Sequence, residues 1–312
     1  MTTRPTRRAA LAAGACAVLL TGCGLSGDPL EAAGGGGEAC STEQPQAGPI
    51  KVGAADFPES QLIAELYAGA LKAKGVNAST TDPIGAREAY LQALGDGSVQ
   101  VVPEYTNSLL NFLQPDTKVK GTEQIYAALR TAVPCSQIVG AKSTAEDSNA
   151  MVVTKETAQK WNLKTVSDLA KRANEVTIAA PPEFRTREQG LVGLKSTYNL
   201  TPKAFRPISN TATLAAALKN GQATAANIFS TDPSITTNGF VVLRDDKQLF
   251  GSDNVVPLIA RSSATPTVQV TLDQVSAKLT TASLAQMLKQ VVVDKRDAAT
   301  VAQTWLRQNK LA

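Results

Sequence analysis

Polar and aromatic side chains follow two apolar segments that are typical of β-strands. Asp56 comes after residues 50–54, and Tyr105 and Ser108 come after residues 99–102. Loops at the carboxyl ends of strands meet helix N-termini in α/β folds, so these side chains are placed to bind a ligand through hydrogen bonds and ring contacts. Asp56 suits the cap of the next helix equally well, and Tyr105 suits a half-buried turn, so neither alone defines a ligand.

The composition of the 312-residue chain excludes several classes of function. It contains no histidine, which removes Ser-His-Asp and Cys-His catalysis and histidine-ligated metals. Gly-x-Ser-x-Gly and Ser-x-x-Lys motifs do not occur in a suitable context, so the sequence predicts a protein that is not an enzyme and has no cofactor or metal. The formal net charge is +4, and Arg4, Arg7 and Arg8 supply most of it. The rest of the chain is nearly neutral, so nucleic acid is not the expected partner.

The first 22 residues have a basic start, an apolar run and small residues before Cys23. This order predicts a signal peptide over residues 1–22, and the run is too short to span a bilayer. Leu20-Thr21-Gly22-Cys23 is typical of a bacterial lipobox, so we expect Cys23 to carry a lipid that anchors the chain at the extracytoplasmic face of the cell membrane. The alternative is a secreted protein whose signal peptide happens to contain a cysteine.

Residues 23–48 are rich in Gly, Ala, Ser and Pro, which predicts a flexible tether between the lipid and the folded part. Once the signal peptide is removed and Cys23 is lipidated, two cysteines remain, Cys40 and Cys135. Outside the cytoplasm a disulfide between them is the expected state, and two free buried thiols are the alternative.

From residue 50 onwards, short apolar segments alternate with amphipathic ones. Strands separated by single helices indicate an α/β protein with mainly parallel sheets. The predicted strands are residues 50–54, 99–102, 150–154, 176–180, 225–228 and 241–243, and the predicted helices are residues 59–74, 88–94, 122–133, 166–172, 189–198, 214–220, 273–293 (one or two helices) and 297–308.

Short motifs in a fixed order carry a family resemblance. They are Val52-Gly53 with Phe57 and Glu59, Gly85-Ala86-Arg87-Glu88, Ala93-Leu94 with Gly97, Pro103-Glu104-Tyr105-Thr106, Glu183-Phe184 with Arg187 and Gly190-Leu191, Phe229-Ser230-Thr231-Asp232, and Leu243-Arg244-Asp245-Asp246-Lys247. The chain resembles the substrate-binding subunits of osmoprotectant ABC transporters (glycine betaine, choline, carnitine, proline), the ProX or OpuAC-like family.

The resemblance implies a two-lobed periplasmic-binding-protein-like fold of type II with a ligand cleft between the lobes. It places residues 49–147 and 252–312 in lobe I and residues 148–251 in lobe II. The implied partners are a small-molecule solute and the ABC permease subunits in the membrane, with the protein itself a monomer.

In this family, tyrosine faces hold a quaternary ammonium group by cation–π attraction, and an arginine takes the carboxylate of the solute. The tyrosines that surround the ammonium group are called the cage below. Carried over by position, Tyr105 matches one of them. Ser108 matches a threonine that helps to hold the carboxylate, and Arg187 matches the arginine that binds it. Asp56 is included because it follows the first strand.

Three further positions depart from the family pattern. Asn149, Phe229 and Asp253 stand where the family usually has tyrosine. An altered cage predicts weak binding of glycine betaine and tighter binding of a more polar solute or one that contains a ring, such as a phenolic compound or a polyol. Asp253 is expected to offset part of the lost attraction by meeting a cation directly.

Two other functions stay open at this point, a cell-envelope hydrolase and a surface interaction protein with a vestigial cleft. Outside the site, Arg87 and Glu88 are expected to form a structural ion pair at the start of a helix. Trp161 and Trp305 are expected to pack in the core, and residues 245–247 to form a solvated turn.

Overall fold

The structure is a computed structural model that describes residues 44–312. The predicted signal peptide, Cys23, most of the predicted tether and Cys40 lie outside the described residues. Within residues 44–312, no helix combines the length and the apolar character needed to cross a membrane.

One sheet has five strands, β1 (Ile50–Val52), β2 (Ala78–Thr80), β3 (Val101–Tyr105), β4 (Gln137–Val139) and β10 (Val255–Ala260). Their order across the sheet is β2-β1-β3-β10-β4. β1 is parallel to β2 and β3, whereas β10 is antiparallel to β3 and β4. The part of the chain built on this sheet is called lobe I below.

A second sheet has the strands β5 (Asn149–Val153), β6 (Thr177–Ala180), β7 (Ala204–Pro207), β8 (Ala225–Phe229) and β9 (Val241–Leu243). The order is β7-β6-β8-β5-β9, with β6 parallel to β7 and β8, and with β5 antiparallel to β8 and β9. The part built on this sheet is called lobe II. The chain passes between the two sheets twice, from β4 to β5 and from β9 to β10.

The last three helices of lobe I pack against α1 (Pro58–Ala73), which starts at a proline that suits the first helical turn, whereas the other three helices of this lobe belong to a separate core cluster. The leucines and isoleucines of α1 are fully buried in the core of this lobe. A Cβ on Gly69 would lie 2.7 Å from Leu306 Cδ1, so glycine lets the last helix approach closely. The helices are α1 (Pro58–Ala73), α2 (Arg87–Gly95), α3 (Thr106–Leu113), α4 (Thr122–Ala132), α10 (Pro266–Lys278), α11 (Thr281–Val292) and α12 (Ala298–Gln308).

The helices of lobe II are shorter and several begin at a side-chain cap. Thr154, Thr165 and Asn210 each accept a hydrogen bond from a backbone N–H of the first turn, which satisfies a donor that the helix leaves free. The helices are α5 (Lys155–Trp161), α6 (Val166–Ala170), α7 (Leu191–Tyr198), α8 (Thr211–Lys219) and α9 (Pro233–Thr237).

The α/β class is confirmed, but the expectation of mainly parallel sheets is wrong, because both sheets are mixed. β5 and β10 each follow a passage of the chain between the sheets rather than a crossover helix, so they enter antiparallel to their neighbours. The predicted helix at residues 273–293 is two helices, α10 and α11. Elements that the sequence pattern did not predict are β2, β4, β7, β10, α3, α5 and α9.

Candidate functional site

A cavity of about 400 Å³ lies between the lobes, at the carboxyl ends of β3 and β8. Its lining comes from loops and helix starts of both sheets, which is where α/β folds bind ligands. Six of the seven predicted site residues line it: Asp56, Tyr105, Ser108, Asn149, Arg187 and Phe229.

Three aromatic rings form one wall of the cavity. The ring of Phe57 stacks on that of Phe229 across the lobes with centroids 5.4 Å apart, and lies 6.3 Å from the ring of Tyr105. Sequence reasoning did not single out Phe57 as a site residue, although it directly follows Asp56 after the first strand. Tyr90, on α2, also lines the cavity.

The hydroxyl of Tyr105 is turned away from solvent and donates to Glu59 Oε1 at 2.8 Å. Burial raises the pKa of Tyr105 well above its usual range, and the charge of Glu59 adds to the shift. The hydroxyl is therefore committed to Glu59. What Tyr105 offers to a solute is its ring.

Arg87 is fully committed inside lobe I. Its guanidinium donates to both oxygens of Glu104, at 2.8 and 2.9 Å, and Tyr90 Oη donates to Glu104 at 2.7 Å. Burial on its own would lower the pKa of Arg87, but Glu104 raises it well above the usual value. The predicted Arg87–Glu88 pair is wrong, because adjacent residues on a helix point in different directions.

Glu88 instead reaches across the cavity to lobe II. Arg187 Nη2 donates to both of its carboxylate oxygens, at 3.1 and 3.2 Å. Burial raises the pKa of Glu88, but hydrogen bonding to its own backbone and the charge of Arg187 outweigh this and lower it. The arginine predicted to bind a solute carboxylate is thus paired with a carboxylate of the protein, and its buried Nε has no partner within residues 44–312.

Asp253 does not line the cavity. Its carboxyl accepts from the backbone N–H groups of Asn107 and Ser108 at 2.7 and 3.0 Å, which caps the start of α3. It is 1% exposed, and burial raises its pKa to about 7. The expectation that Asp253 meets a cation directly is therefore not supported by its position.

Ser108 links Asp253 to lobe II. Its hydroxyl lies within hydrogen-bond distance of both Asp253 Oδ2 and Gln189 Oε1, the latter at 2.8 Å. A hydroxyl has one proton to donate, so both contacts are satisfied when Asp253 is protonated and donates to Ser108. Gln189 Nε2 in turn donates to the Phe250 carbonyl oxygen at 2.7 Å, so hydrogen bonds run without a break from Asp253 to Phe250.

Asp56 is exposed at the cavity and does not cap α1. The N-cap residue of that helix is Phe57, without a side-chain cap, and Ser60 Oγ accepts from the Ala55 N–H at 2.9 Å instead. Among residues 44–312 the Asp56 side chain has no hydrogen-bond partner, so it stays available to the cavity that it lines.

Away from the cavity, Cys135 is disulfide-bonded. Its predicted partner, Cys40, lies outside the described residues, so the pairing stays a prediction. Trp305 is buried in the core of lobe I and Trp161 packs at the edge of the core of lobe II, as expected.

Two α/β lobes that enclose an aromatic-walled cavity define a solute-binding protein of the two-lobed class. Residues 48–308 match the family described as the substrate-binding domain of ABC-type glycine betaine transport systems, and the chain belongs to that family. It is therefore a non-catalytic, extracytoplasmic solute-binding component of an osmoprotectant ABC importer.

Similar proteins and structures span most of the chain. The carnitine transport binding protein OpuCC of Listeria monocytogenes is 25% identical over 83% of this chain and 86% of its own length. The glycine-betaine-binding protein of Pseudomonas aeruginosa is 26% identical over 85% of this chain and 89% of its own length.

Two solved structures share the fold. The structure of a glycine betaine/carnitine/choline ABC transporter protein has a TM-score of 0.67 at 22% identity and covers 84% of this chain and 99% of its own. A choline-binding protein in complex with choline has a TM-score of 0.64 at 14% identity and covers 85% of this chain and 89% of its own. These likenesses confirm the predicted type II two-lobed fold.

Proposed function

We propose that this protein captures a small organic cation, of the quaternary ammonium type, and delivers it to an ABC permease. The observation that carries the proposal is the wall formed by Phe57, Tyr105 and Phe229. A quaternary ammonium group cannot donate a hydrogen bond, so aromatic faces are the chemistry that binds it. The related choline-, carnitine- and betaine-binding proteins support this class of solute.

The charges around the cavity favour a cation over a zwitterion. Among the described residues that line it, both arginines already have carboxylate partners, Arg87 in Glu104 and Arg187 in Glu88. Asp56, Glu183 and Glu188 line the cavity as well and leave an excess of negative charge. A solute carboxylate would have to displace Glu88 from Arg187, whereas a cation without a carboxylate needs no such exchange.

The altered cage is part of this proposal. Phe57 and Tyr90 supply aromatic faces that the four family positions do not count, so the loss of tyrosine at positions 149 and 253 is partly offset. Glycine betaine is still expected to bind weakly, because of the pairing of Arg187 rather than for lack of rings.

Calorimetric titration tests the proposal with choline, glycine betaine, carnitine and proline. Choline is expected to bind at least about tenfold more tightly than glycine betaine, a difference of about 1.4 kcal/mol. Tighter binding of glycine betaine than of choline would contradict the cation preference, and binding of none of the four would contradict the solute class.

A second candidate is a polar solute with hydroxyl or N–H groups. Asn149 and Asn227 line the lobe II side of the cavity, and their amides are suited to such groups. Polyols and phenolic compounds in the same titration series decide between the two candidates.

We also propose that Cys23 anchors the protein to the cell membrane by a lipid. The basic start, the short apolar run and Leu20-Thr21-Gly22-Cys23 support this. A Cys23→Ser variant is expected to leave the membrane fraction and appear folded in the medium. Retention of the variant in the membrane fraction through a lipid would contradict the anchor.

A further inference from the structure

Two buried carboxyl groups meet where the lobes join, behind the aromatic wall. Glu59 lies in the first turn of α1 in lobe I and is 3% exposed. Asp147 lies in the passage from β4 to β5 and is 1% exposed. Both carboxyls bond to the same residue of lobe II, Glu59 to the hydroxyl of Thr231 and Asp147 to its backbone N–H, so the two side chains lie side by side.

The other contacts of Glu59 connect the lobes. Its Oε1 accepts from Tyr105 Oη at 2.8 Å, and its Oε2 accepts from Thr231 Oγ1 of lobe II at 2.5 Å. One carboxyl group therefore fixes a ring of the cavity wall and holds the opposite lobe.

The contacts of Asp147 leave one oxygen unexplained. Its Oδ1 accepts from the Thr231 N–H at 3.0 Å and from Ser230 Oγ at 3.1 Å. Its Oδ2 is buried and has no donor among residues 44–312. Two ionised carboxylates only accept, so adjacent ones repel, whereas a proton on one of them lets it donate to the other.

The groups that face this pair are neutral or acidic. Tyr105 reaches it from β3, Thr231 from the loop before α9, and Asp232 at the start of α9 adds negative charge. Burial raises the pKa of Glu59, and burial together with the charge of Glu59 raises the pKa of Asp147. Both effects favour a shared proton over two separate charges.

We propose that Glu59 and Asp147 share one proton in the folded protein, that closure of the lobes on a solute tightens the hold on this proton, and that Glu59 is the positioning residue for the ring of Tyr105. Opening the lobes withdraws Thr231 from Glu59 and admits water, so the pair then holds the proton less tightly and solute binding is accompanied by proton uptake. The solute side of this inference rests on the proposed function, but the shared proton does not.

The direction of the pH dependence follows from linkage. A proton bound more tightly in the closed form stabilises that form at low pH, and this stabilisation is lost as the pH rises through the raised pKa values. Solute affinity therefore falls with rising pH, by at most about tenfold per pH unit for one proton.

Choline titrations from about pH 5 to about pH 9 test this, in buffers of different ionisation enthalpy that reveal proton uptake. The Glu59→Gln variant keeps the shape and the acceptor for Tyr105, and its amide donates to Asp147 without a titratable proton. This variant is expected to lose the proton uptake that Glu59 supplies, and its affinity for choline is expected to change less with pH. Asp253 titrates in both proteins, so the difference between variant and wild type isolates the pair.

Glu65→Gln is the matched control, because Glu65 lies on the same helix and accepts from Thr80 at 2.8 Å, away from the cavity. It is expected to keep the wild-type pH profile. Equal proton uptake and equal pH profiles in the wild type and Glu59→Gln would overturn the proposal.

A measurement without solute separates this proposal from the proposed function. The pH dependence of urea unfolding is compared between the wild type and Glu59→Gln, and the variant is expected to gain stability relative to the wild type as the pH rises. If choline does not bind, this difference still tests the shared proton, and its absence overturns it. Asp147→Asn is measured in the same way and must show the same change, so a Glu59→Gln variant that does not fold leaves the test intact.

Discussion

Two of the contacts between the lobes differ in character. The rim contact, Glu88 with Arg187, is a partly exposed ion pair, with side chains 53% and 27% exposed. The buried acid contact, Glu59 with Tyr105, Asp147 and Thr231, consists of hydrogen bonds at fully buried carboxyls.

The two contacts respond to different conditions. An exposed ion pair is worth little and is screened by salt, whereas buried carboxyls respond to protons and to the loss of a single hydrogen bond. We therefore expect the rim contact to select among solutes by charge, and the buried acid contact to set how firmly the lobes close.

The largest expected effect concerns Asp253, a third buried carboxyl at the lobe boundary. Its pKa is raised by burial to about 7, so its stabilisation is present at low pH and is lost as the pH rises from about 4 to about 7. The free energy of unfolding of the wild type should fall across this window by up to about 4 kcal/mol relative to Asp253→Asn, at about 1.4 kcal/mol per pH unit. Urea unfolding at a series of pH values measures this.

An Asp297→Asn variant is the control in the same urea measurements, because the contribution of Asp297 to the free energy of unfolding changes with pH in the opposite direction. Asp297 caps α12 at the exposed surface, and hydrogen bonds from Thr300 lower its pKa, so its contribution to stability is lost as the pH falls.

The outcome that contradicts the prediction for Asp253 is a free energy of unfolding that changes with pH in the same way in the wild type and in Asp253→Asn. It would show that Asp253 is ionised in the folded protein throughout.

Removing the hydroxyl from Thr231 should have an intermediate effect. Thr231→Val deletes the donor to Glu59 Oε2 while keeping the shape of the side chain. A lost buried hydrogen bond costs about 1–2 kcal/mol, so choline affinity should fall about tenfold. Thr236→Val is the matched control, because Thr236 donates to the Pro233 carbonyl oxygen within α9 and makes no contact with Glu59. Equal losses in both variants would mean that Thr231 does not act through the buried acid contact.

The smallest expected effect is at the rim contact. Glu88→Gln frees Arg187, so glycine betaine should bind about two- to fivefold more tightly, because an exposed pair is worth about 0.2–1 kcal/mol. Choline should not gain, since it has no carboxylate to offer. Glu175→Gln, which breaks an exposed pair with Arg172 elsewhere in lobe II, should change neither affinity. A gain for choline as large as that for glycine betaine would contradict the role given to Glu88.

Much of the architecture was predictable from the sequence because it depends on local patterns. The apolar runs before Asp56, Tyr105 and Phe229 predict strands, and residues at strand ends converge in an α/β fold. The motifs with Arg187 and Phe229 then place the site between the lobes.

The pairings inside the site were not predictable, because they join residues far apart in the chain. Arg187 and Glu88 are separated by 99 positions, and Thr231 and Glu59 by 172. Asp253 was predicted to meet a cation directly because α3, the helix that it caps, was not predicted. Phe57 belongs to one of the family motifs but had no predicted role, because its ring contacts are with Tyr105 and Phe229, which lie far from it in the chain.

A crystal structure of the protein with choline would show whether the aromatic wall binds the quaternary ammonium group. The quaternary nitrogen is expected within about 6 Å of the ring centroids of Phe57, Tyr105 and Phe229, with Arg187 still paired to Glu88. A choline molecule bound outside this cavity would contradict the role of the aromatic wall, and an Arg187 turned from Glu88 onto the solute would contradict the role of the rim contact.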